Sequence, residues 1–473
     1  MERIILKIVH TNDFHGGIER FGKIAAYIDV EKKRTKHFLY LDAGDIFSGH
    51  PIVDWAYGRP MVNLLNQMQL DAMAIGNHDF DYGQAHFEAN RQLSRFPWLG
   101  ANIVVKDQDI PISQPRPFQL FAFDECKVGV VSVTEAPPST VCTAIAGLQF
   151  LDPVETLRYY QALRDQVDIL IALTHVGIDC DRQIAQQVEG YDLIIGGHSH
   201  TVVELEPVNG TPIINTGAFG EFLGDLTIHY NVAARRIEKM NSALISVDAL
   251  QDVDEGIQRQ VEQYFRDSRD VLDREIGVTT GLSIDNIHHQ DAPLGNFYAD
   301  ALRHCTKADI AFVNNGGIRL PIPQGIMTIG QLYKVAPFRN QMVVVEMTGE
   351  AIAEVIRYSF ANANRIDLQT SGLTYKIWTD ETGKILDVEL FHAGAPFCPQ
   401  MTYRVVINDY IASGGSGYEF KGCILQHAAG EMTNALVRYA AYCAEKNGVI
   451  EAKSEGRIMV QTVCDRRLSV GQV

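Results

Sequence analysis

The chain has 473 residues, 46% hydrophobic and 21% charged, with 58 acidic side chains against 41 basic ones. The net charge of −17 works against docking on a nucleic-acid phosphate backbone, and no apolar run approaches the roughly 20 residues that span a bilayer. Length calls for two or three cores. Met1-Glu2-Arg3-Ile4 leads straight into a strand-like run without the succession of a secretory signal, and none of the eight scattered cysteines forms a C-x-x-C pair. The expectation is a cytoplasmic protein with reduced thiols, no membrane and no nucleic-acid partner.

From the N-terminus, apolar runs at Ile4–Val9, Phe38–Leu41, Ala72–Ile75, Val128–Val133, Ile169–Leu173, Leu193–Ile195 and Pro212–Asn215 predict strands, several continuous enough to be buried on both faces. Helical periodicity fits Ile18–Asp29, Met61–Gln67, Pro153–Arg164 and Arg182–Val188, the last capped by Asp179 or Asp181. This alternation is a layered α/β pattern. Residues 231–247 predict a closing strand pair, and the charged stretch 251–274 a solvent-bridging connector helix. A second α/β pattern follows. Its helices are expected at Gly295–Cys305, Gly349–Phe360 and Met432–Glu445. Its strands are expected at Ile310–Val313, Met342–Glu346, Leu373–Trp378 and Tyr403–Ile407. The domains are therefore drawn at 1–247 and 275–473, with 248–274 between them.

One feature recurs in the first domain. A hydrophobic strand ends, and Asp, His or Asn follows: Asp13 and His15, Asp45 beside Asp42, Asn77 with His78 and Asp81, His175, then His198 and His200. Any one of these is adequately explained as a polar turn or a cap. Five together are not, because ligands of open α/β sheets bind at the carboxyl ends of strands. Carboxylate, imidazole and amide donors without thiolate suit Mn, Zn, Fe or Co, and the donor count is enough for two divalent ions. Two ions about 3.5–4 Å apart would acidify a water and clamp the oxygens of a phosphoryl displacement.

The order D-x-H, G-D, G-N-H-D, H, G-H-x-H resembles the calcineurin-like metallophosphoesterases. The strings "HTNDFHGG", "GNHDFDYG", "GGHSHT" and "NTGAFGEFLGDL" are similar to the 5′-nucleotidase branch. That resemblance implies an N-terminal four-layer β-sandwich flanked by helices and a C-terminal α/β substrate-binding domain. It implies one metal site of Asp13, His15, Asp45 and His200, and a second of Asp45, Asn77, His175 and His198, with Asp45 shared. It also implies His78 as the group that steadies the phosphate and protonates the leaving oxygen, oriented by Asp81. A carboxylate-held imidazole fits that role chemically. Asp42, Asp79 and Cys180 receive no catalytic role.

In the second domain, "NNGGIR" at 314–319 reads without the resemblance as a turn with a solvated arginine. With it, Asn314 would contact the base, Arg319 the phosphate, and Phe338 and Tyr410 would stack on the base. Two departures bear on specificity. The family's acidic residue after Gly-Gly is Ser416 here, and an arginine upstream of Gly295-Asn296 is absent, with His288 and His289 near its place. The expected reaction is nucleoside 5′-monophosphate plus water to nucleoside plus phosphate through metal-activated hydroxide. Alternatives are a 2′,3′-cyclic-nucleotide phosphodiesterase, a UDP-sugar or nucleotide pyrophosphatase, and a nucleotide sensor without turnover.

Overall fold

The computed structural model describes residues 3–463 apart from 108, 137–139, 141, 338–339, 363, 393, 413 and 421–423. The chain divides into two compact units, Met1–Ser268 and Arg269–Val473.

The first unit is a sandwich of two six-stranded sheets. One runs in the order 236–246, 222–231, 3–11, 37–42, 72–74 and 98–99, and the other 202–208, 211–216, 193–196, 169–175, 127–134 and 118–122. The inner faces interdigitate through Leu6, Ile8, Leu41, Ala74, Val130, Ile171, Leu173, Ile195 and Leu226. These side chains are fully buried, so truncating a leucine or isoleucine among them would cost about 2–5 kcal/mol. The alternate residues face outward and are covered by helices. Val131, Leu170 and Ile194 of the second sheet meet Val154 and Leu157 of helix Pro153–Tyr160, and Ile184 of helix Ile178–Gln187. The seven expected strands of this unit are all present. The central pairings of both sheets are parallel, which aims their carboxyl ends at one rim.

Three local features differ from the sequence expectation. Helix Ile178–Gln187 starts four residues early, because Gly177 turns the chain at φ +81° two residues after His175. Asp179 and Asp181 therefore lie in its first turn and do not cap it. The closing hairpin is Phe222–Asn231 with Arg236–Ser246, so only its turn and second strand fall after residue 231. Helix Glu255–Leu272 is not polar all round: Ile257, Val261 and Ser268 are buried, and Tyr264 accepts from Asn63 Nδ2 at 3.1 Å. Most of its length belongs to the first unit.

The second unit is built on a five-stranded sheet in the order 368–371, 310–314, 402–408, 341–348 and 424–431. Helices Pro293–Thr306 and Met432–Asn447 pack on one face through Phe297, Leu302 and Leu436. Helix Gly349–Ala361 and a smaller four-stranded sheet cover the other through Ile352, Ile356, Tyr375 and Ile377. Among the described residues no helix is long and apolar enough to cross a membrane.

Candidate metal centre

Two groups of donors converge at the carboxyl rim of the first unit. Asp13, His15 and His200 form one, and Asp45, His175 and His198 the other. Within each group the ligand atoms lie within 4.8 Å of one another. In the first, the Nε2 atoms of His15 and His200 are 3.0 Å apart, and Asp13 Oδ1 is 3.7 Å from His15 Nε2 and 3.4 Å from His200 Nε2. In the second, His175 Nε2 is 3.0 Å from Asp45 Oδ2. Asn77 Oδ1 joins that group, 3.1 Å from His175 Nε2 and 2.9 Å from His198 Nδ1.

These positions are held by unusual backbone. Asp13, His15, Asp45, His198 and His200 have φ between +47° and +78°, a region that costs non-glycine residues about 1–3 kcal/mol each and gathers at functional sites. The loops are pinned in place. The Asp13 N–H donates to Gly44 O at 2.8 Å and the His15 N–H to Asp45 O at 3.0 Å. Asn12, fully buried, donates to Asp13 Oδ2 and to Gly217 O, both at 2.6 Å, and accepts from the Thr216 N–H and hydroxyl. Asp79 ties the second and third strand ends together, accepting from the backbone N–H groups of Gly76, Asp45 and Ile46 at 2.8–3.2 Å. Gly76 keeps an ordinary φ. It is required because a Cβ there would lie 2.1 Å from Asp45 Oδ1. Gly83, at φ +79°, is the true pivot of the loop.

The donor set fits divalent ions. His15 Nδ1 lies 3.0 Å from Ser48 O and His175 Nδ1 2.7 Å from Ala43 O. These carbonyls hold the proton on Nδ1 and leave Nε2 free for a ligand bond. Burial opposes charge on Asp13, yet His15 and His200 hold its carboxyl far below the usual range. Asp45 is held low in the same way by His175 and His78. Burial pulls His175 down, and Asp45 and Asp13 push it up further, to about 10. Carboxylates that favour a proton on His175 equally favour a divalent cation in its place.

His78 stands beside this centre. Its ring centroid is 5.3 Å from that of His15, and its N–H donates to Asp45 Oδ1 at 2.8 Å. Its Nδ1 lies 2.7 Å from Asp81 Oδ2, and Asp81 Oδ1 accepts from the Thr140 hydroxyl at 2.9 Å. Burial lowers His78, but Asp81 and Asp45 outweigh it and raise the group to about 10. The ring can therefore carry a proton at neutral pH. Asp42 accepts from Thr11 Oγ1 and the Gly44 N–H, and burial pushes it up to about 7.

Four residues around the centre escape sequence reasoning. Asn12 is adjacent to a ligand and could have been found from that. Thr140 could not, since nothing in its neighbourhood signals Asp81. Glu135 follows a strand end like the ligands do, and its Oε1 lies 3.4 Å from His198 Nε2. Phe219 packs its ring 5.7 Å, centroid to centroid, from both His15 and His200.

The expected substrate residues lie in the second unit. Asn314 ends strand Ile310–Asn314, is buried, and accepts from Asn408 Nδ2 at 2.7 Å. Asn408 Oδ1 in turn takes the Ile411 N–H at 2.8 Å, which links Asn314 to the short helix carrying Tyr410. One face of the Tyr410 ring is closed by Gly415, where a Cβ would sit 2.6 Å from its carbons. Its hydroxyl is 3.4 Å from Ser416 Oγ. Arg319 is exposed. Phe338 lies outside the described residues.

Residues 6–202 match the calcineurin-like phosphoesterases, and residues 272–422 match the 5′-nucleotidase C-terminal domain. The chain is 28% identical over 472 residues to a trifunctional nucleotide phosphoesterase of Bacillus subtilis, an alignment covering 87% of this chain and 32% of that one. The chain thus spans about a third of that relative. It is 26% identical over 502 residues to a snake venom 5′-nucleotidase of Crotalus adamanteus, covering 91% of this chain and 85% of the relative. The crystal structure of a 5′-nucleotidase precursor from Thermus thermophilus is similar at 25% identity with a TM-score of 0.73, over 96% of this chain and 99% of that one.

Proposed function

Because the chain belongs to the 5′-nucleotidase family, metal-dependent phosphoesterases with a calcineurin-like domain and a 5′-nucleotidase C-terminal domain, we propose that it hydrolyses nucleoside 5′-monophosphates to nucleoside and phosphate at a two-ion centre. The observation that carries this is the pair of donor groups, Asp13–His15–His200 and Asp45–His175–His198, with the His78–Asp81 pair beside them. Asp13, His15, Asp45 and His200 would hold one ion, and Asp45, Asn77, His175 and His198 the other. Mn, Zn, Fe and Co all suit these donors. Bound divalent ions supply Lewis acidity, acidifying water and drawing charge from the phosphoryl oxygens.

The chain's own groups do the rest. His78 offers a protonated imidazole to the phosphate and then to the leaving ester oxygen. Asp81 holds Nδ1 of that ring, so that Nε2 is the face presented and the proton is regained from solvent between turnovers. Arg319 takes a phosphate or carboxylate-like face of the substrate through its planar fork, while Phe338 and Tyr410 stack on the base. Ser416 stands where the resemblance expects a carboxylate, so that charged contact to ribose or base is not offered and the nucleotide taken is left to the substrate panel.

The partner is accordingly a small nucleotide and not a polymer, in keeping with the net charge of −17. The free thiols of Cys126, Cys180, Cys305, Cys398 and Cys443 support a reducing, cytoplasmic setting. The test is phosphate release, with added Mn, from a panel of nucleoside 5′-monophosphates, 2′,3′-cyclic nucleotides and UDP-sugars. The proposal expects monophosphates to be turned over with the highest kcat/KM. A preference for the diesters or pyrophosphates would replace it with the corresponding reading.

A further inference from the structure

Phe219 is out of place by every ordinary rule. It is a bulky aromatic at φ +56°, a conformation in which such a residue is a genuine outlier. The chain supplies glycine for nearby turns, Gly217 at φ +81° and Gly220 at φ +62°, yet keeps a phenyl ring at 219. The strain is over-determined from both sides. The Phe219 N–H donates to Asp13 O at 2.8 Å. Its carbonyl accepts from Arg20 Nη1 at 3.3 Å, and Arg20 is itself gripped by Asp248 through two bonds of 2.9 and 2.8 Å. Core packing does not account for the ring, because Phe219 is 47% exposed. One part of it rests on the imidazoles of His15 and His200, with centroids 5.7 Å away and planes inclined by 45° and 75°. The remainder is open.

We propose that the centre also accepts aryl phosphates and phosphonates, with Phe219 as their contact: its open face receives an aryl group carried directly on a phosphate or phosphonate seated at the Asp13–His15–His200 group, whereas the base of a nucleotide is taken by Phe338 and Tyr410 as proposed above. Two features of the placement carry this. The ring lies one aromatic-contact distance, about 4.5–7 Å, from the two imidazoles whose Nε2 atoms converge 3.0 Å apart. A substituent one or two bonds from phosphorus would therefore fall across it. The carbonyl and N–H of Phe219 are both occupied, so the side chain is what the strained turn presents. The proposal rests on the reading of this centre as a phosphate site and adds a selectivity for aryl over small alkyl substituents within the first unit.

The experiment measures binding, not turnover. Phenylphosphonate and methylphosphonate are titrated calorimetrically into the Mn-loaded full chain, for the natural sequence, Phe219→Ala and Phe219→Trp. Aromatic stacking on a protein ring changes affinity by about five- to a hundredfold. The natural protein should prefer the phenyl compound at least fivefold, Phe219→Ala should bring the ratio close to one with metal content unchanged, and Phe219→Trp should retain it. Phe219→Gly should melt no lower than Phe219→Ala, since glycine adopts φ +56° without strain. An unchanged ratio in Phe219→Ala overturns the proposal, as does equal weakening of both compounds, or loss of metal from that variant. A retained phenyl preference with no nucleotide turnover would count against the nucleotidase reading alone. Nucleotide turnover with no phenyl preference would count against this inference alone.

Discussion

Replacing His78 by asparagine removes one imidazole and little else. The backbone N–H of residue 78 still donates to Asp45 Oδ1 at 2.8 Å, and Asn77 keeps its place between His175 and His198. Both donor groups therefore survive, and bound metal should be unchanged. What disappears is a protonated ring held 2.7 Å from Asp81. A positioned acid contributes about 10²–10⁴-fold, or about 2.7–5.4 kcal/mol of barrier at 1.36 kcal/mol per tenfold. Stability changes as well. The Asp81 side chain is only 4% exposed and would keep the Thr140 hydroxyl as a donor. An under-satisfied buried acceptor costs about 1–3 kcal/mol, a loss of several degrees in Tm for a unit of this size at about 2–4 °C per kcal/mol. Adding Asp81→Asn should recover much of that loss. It should leave the residual rate within about threefold, because Asp81 acts through His78. Steady-state phosphate release, elemental analysis and thermal melting on the two single variants and the double variant decide the matter. His78→Asn within tenfold of the natural kcat, or a double variant whose losses multiply, would refute the pairing.

The remaining expectations are independent of His78. Exhaustive chelation should abolish activity and lower Tm by several degrees, since ions that bind only the folded chain no longer stabilise it; full activity afterwards would remove metals from the chemistry. Asp79→Asn should destabilise by about 2–4 kcal/mol, because an amide oxygen cannot accept all three backbone N–H groups now held by the carboxylate; a Tm within a degree would contradict the latch. His10 is fully buried against Gly224 with neither ring nitrogen bonded among the described residues, and burial drives it down to about 3. Its neutral form is favoured in the fold, so its contribution to stability is present above about pH 6.5 and is lost as pH falls toward 3. At pH 5 that is about 1.5 pH units, or about 2 kcal/mol, and His10→Leu should flatten Tm between pH 7.5 and 5; equal slopes would reject it. Arg319→Ala should raise KM about tenfold or more for a nucleoside monophosphate and for p-nitrophenyl phosphate alike, because a guanidinium fork on the phosphate serves both, and an unchanged KM for both would remove Arg319 from the phosphate contacts.

The legible part of this protein is the part written locally. Continuous apolar runs such as Ile169–Leu173, rich in β-branched residues and short, are the mark of strands buried on both faces, and polar residues after such a strand announce the rim, which is why Asp13, Asp45, Asn77, His175 and His198 could be singled out. Helix Pro293–Thr306 and helix Gly349–Ala361 are legible for the same reason. What is written non-locally stays hidden. The pairing of strand Arg3–Thr11 with Phe222–Asn231 joins segments over two hundred residues apart. Strands Leu368–Ser371, Ile385–His392 and Ile458–Thr462 lack a strong pattern and are held by their neighbours. Thr140 reaches Asp81, and Glu135 reaches His198, only once the sandwich is assembled. The start of helix Ile178–Gln187 was obscured by two good capping residues, when the backbone turn at Gly177 decided it. Five left-handed ligands are the clearest mark of the site, and no single-sequence pattern reports φ.

The proposed centre would take two divalent ions at one rim of the first unit, with Asp45 offered as a donor to both. Metal stoichiometry, measured by elemental analysis on the natural protein and on Asp45→Asn after equilibration with Mn, tests it most directly. The account predicts two ions per chain in the natural protein, with fewer than one retained and phosphate release lost in Asp45→Asn. A natural protein fully active with one ion or none, or an Asp45→Asn variant that keeps both ions, would contradict it.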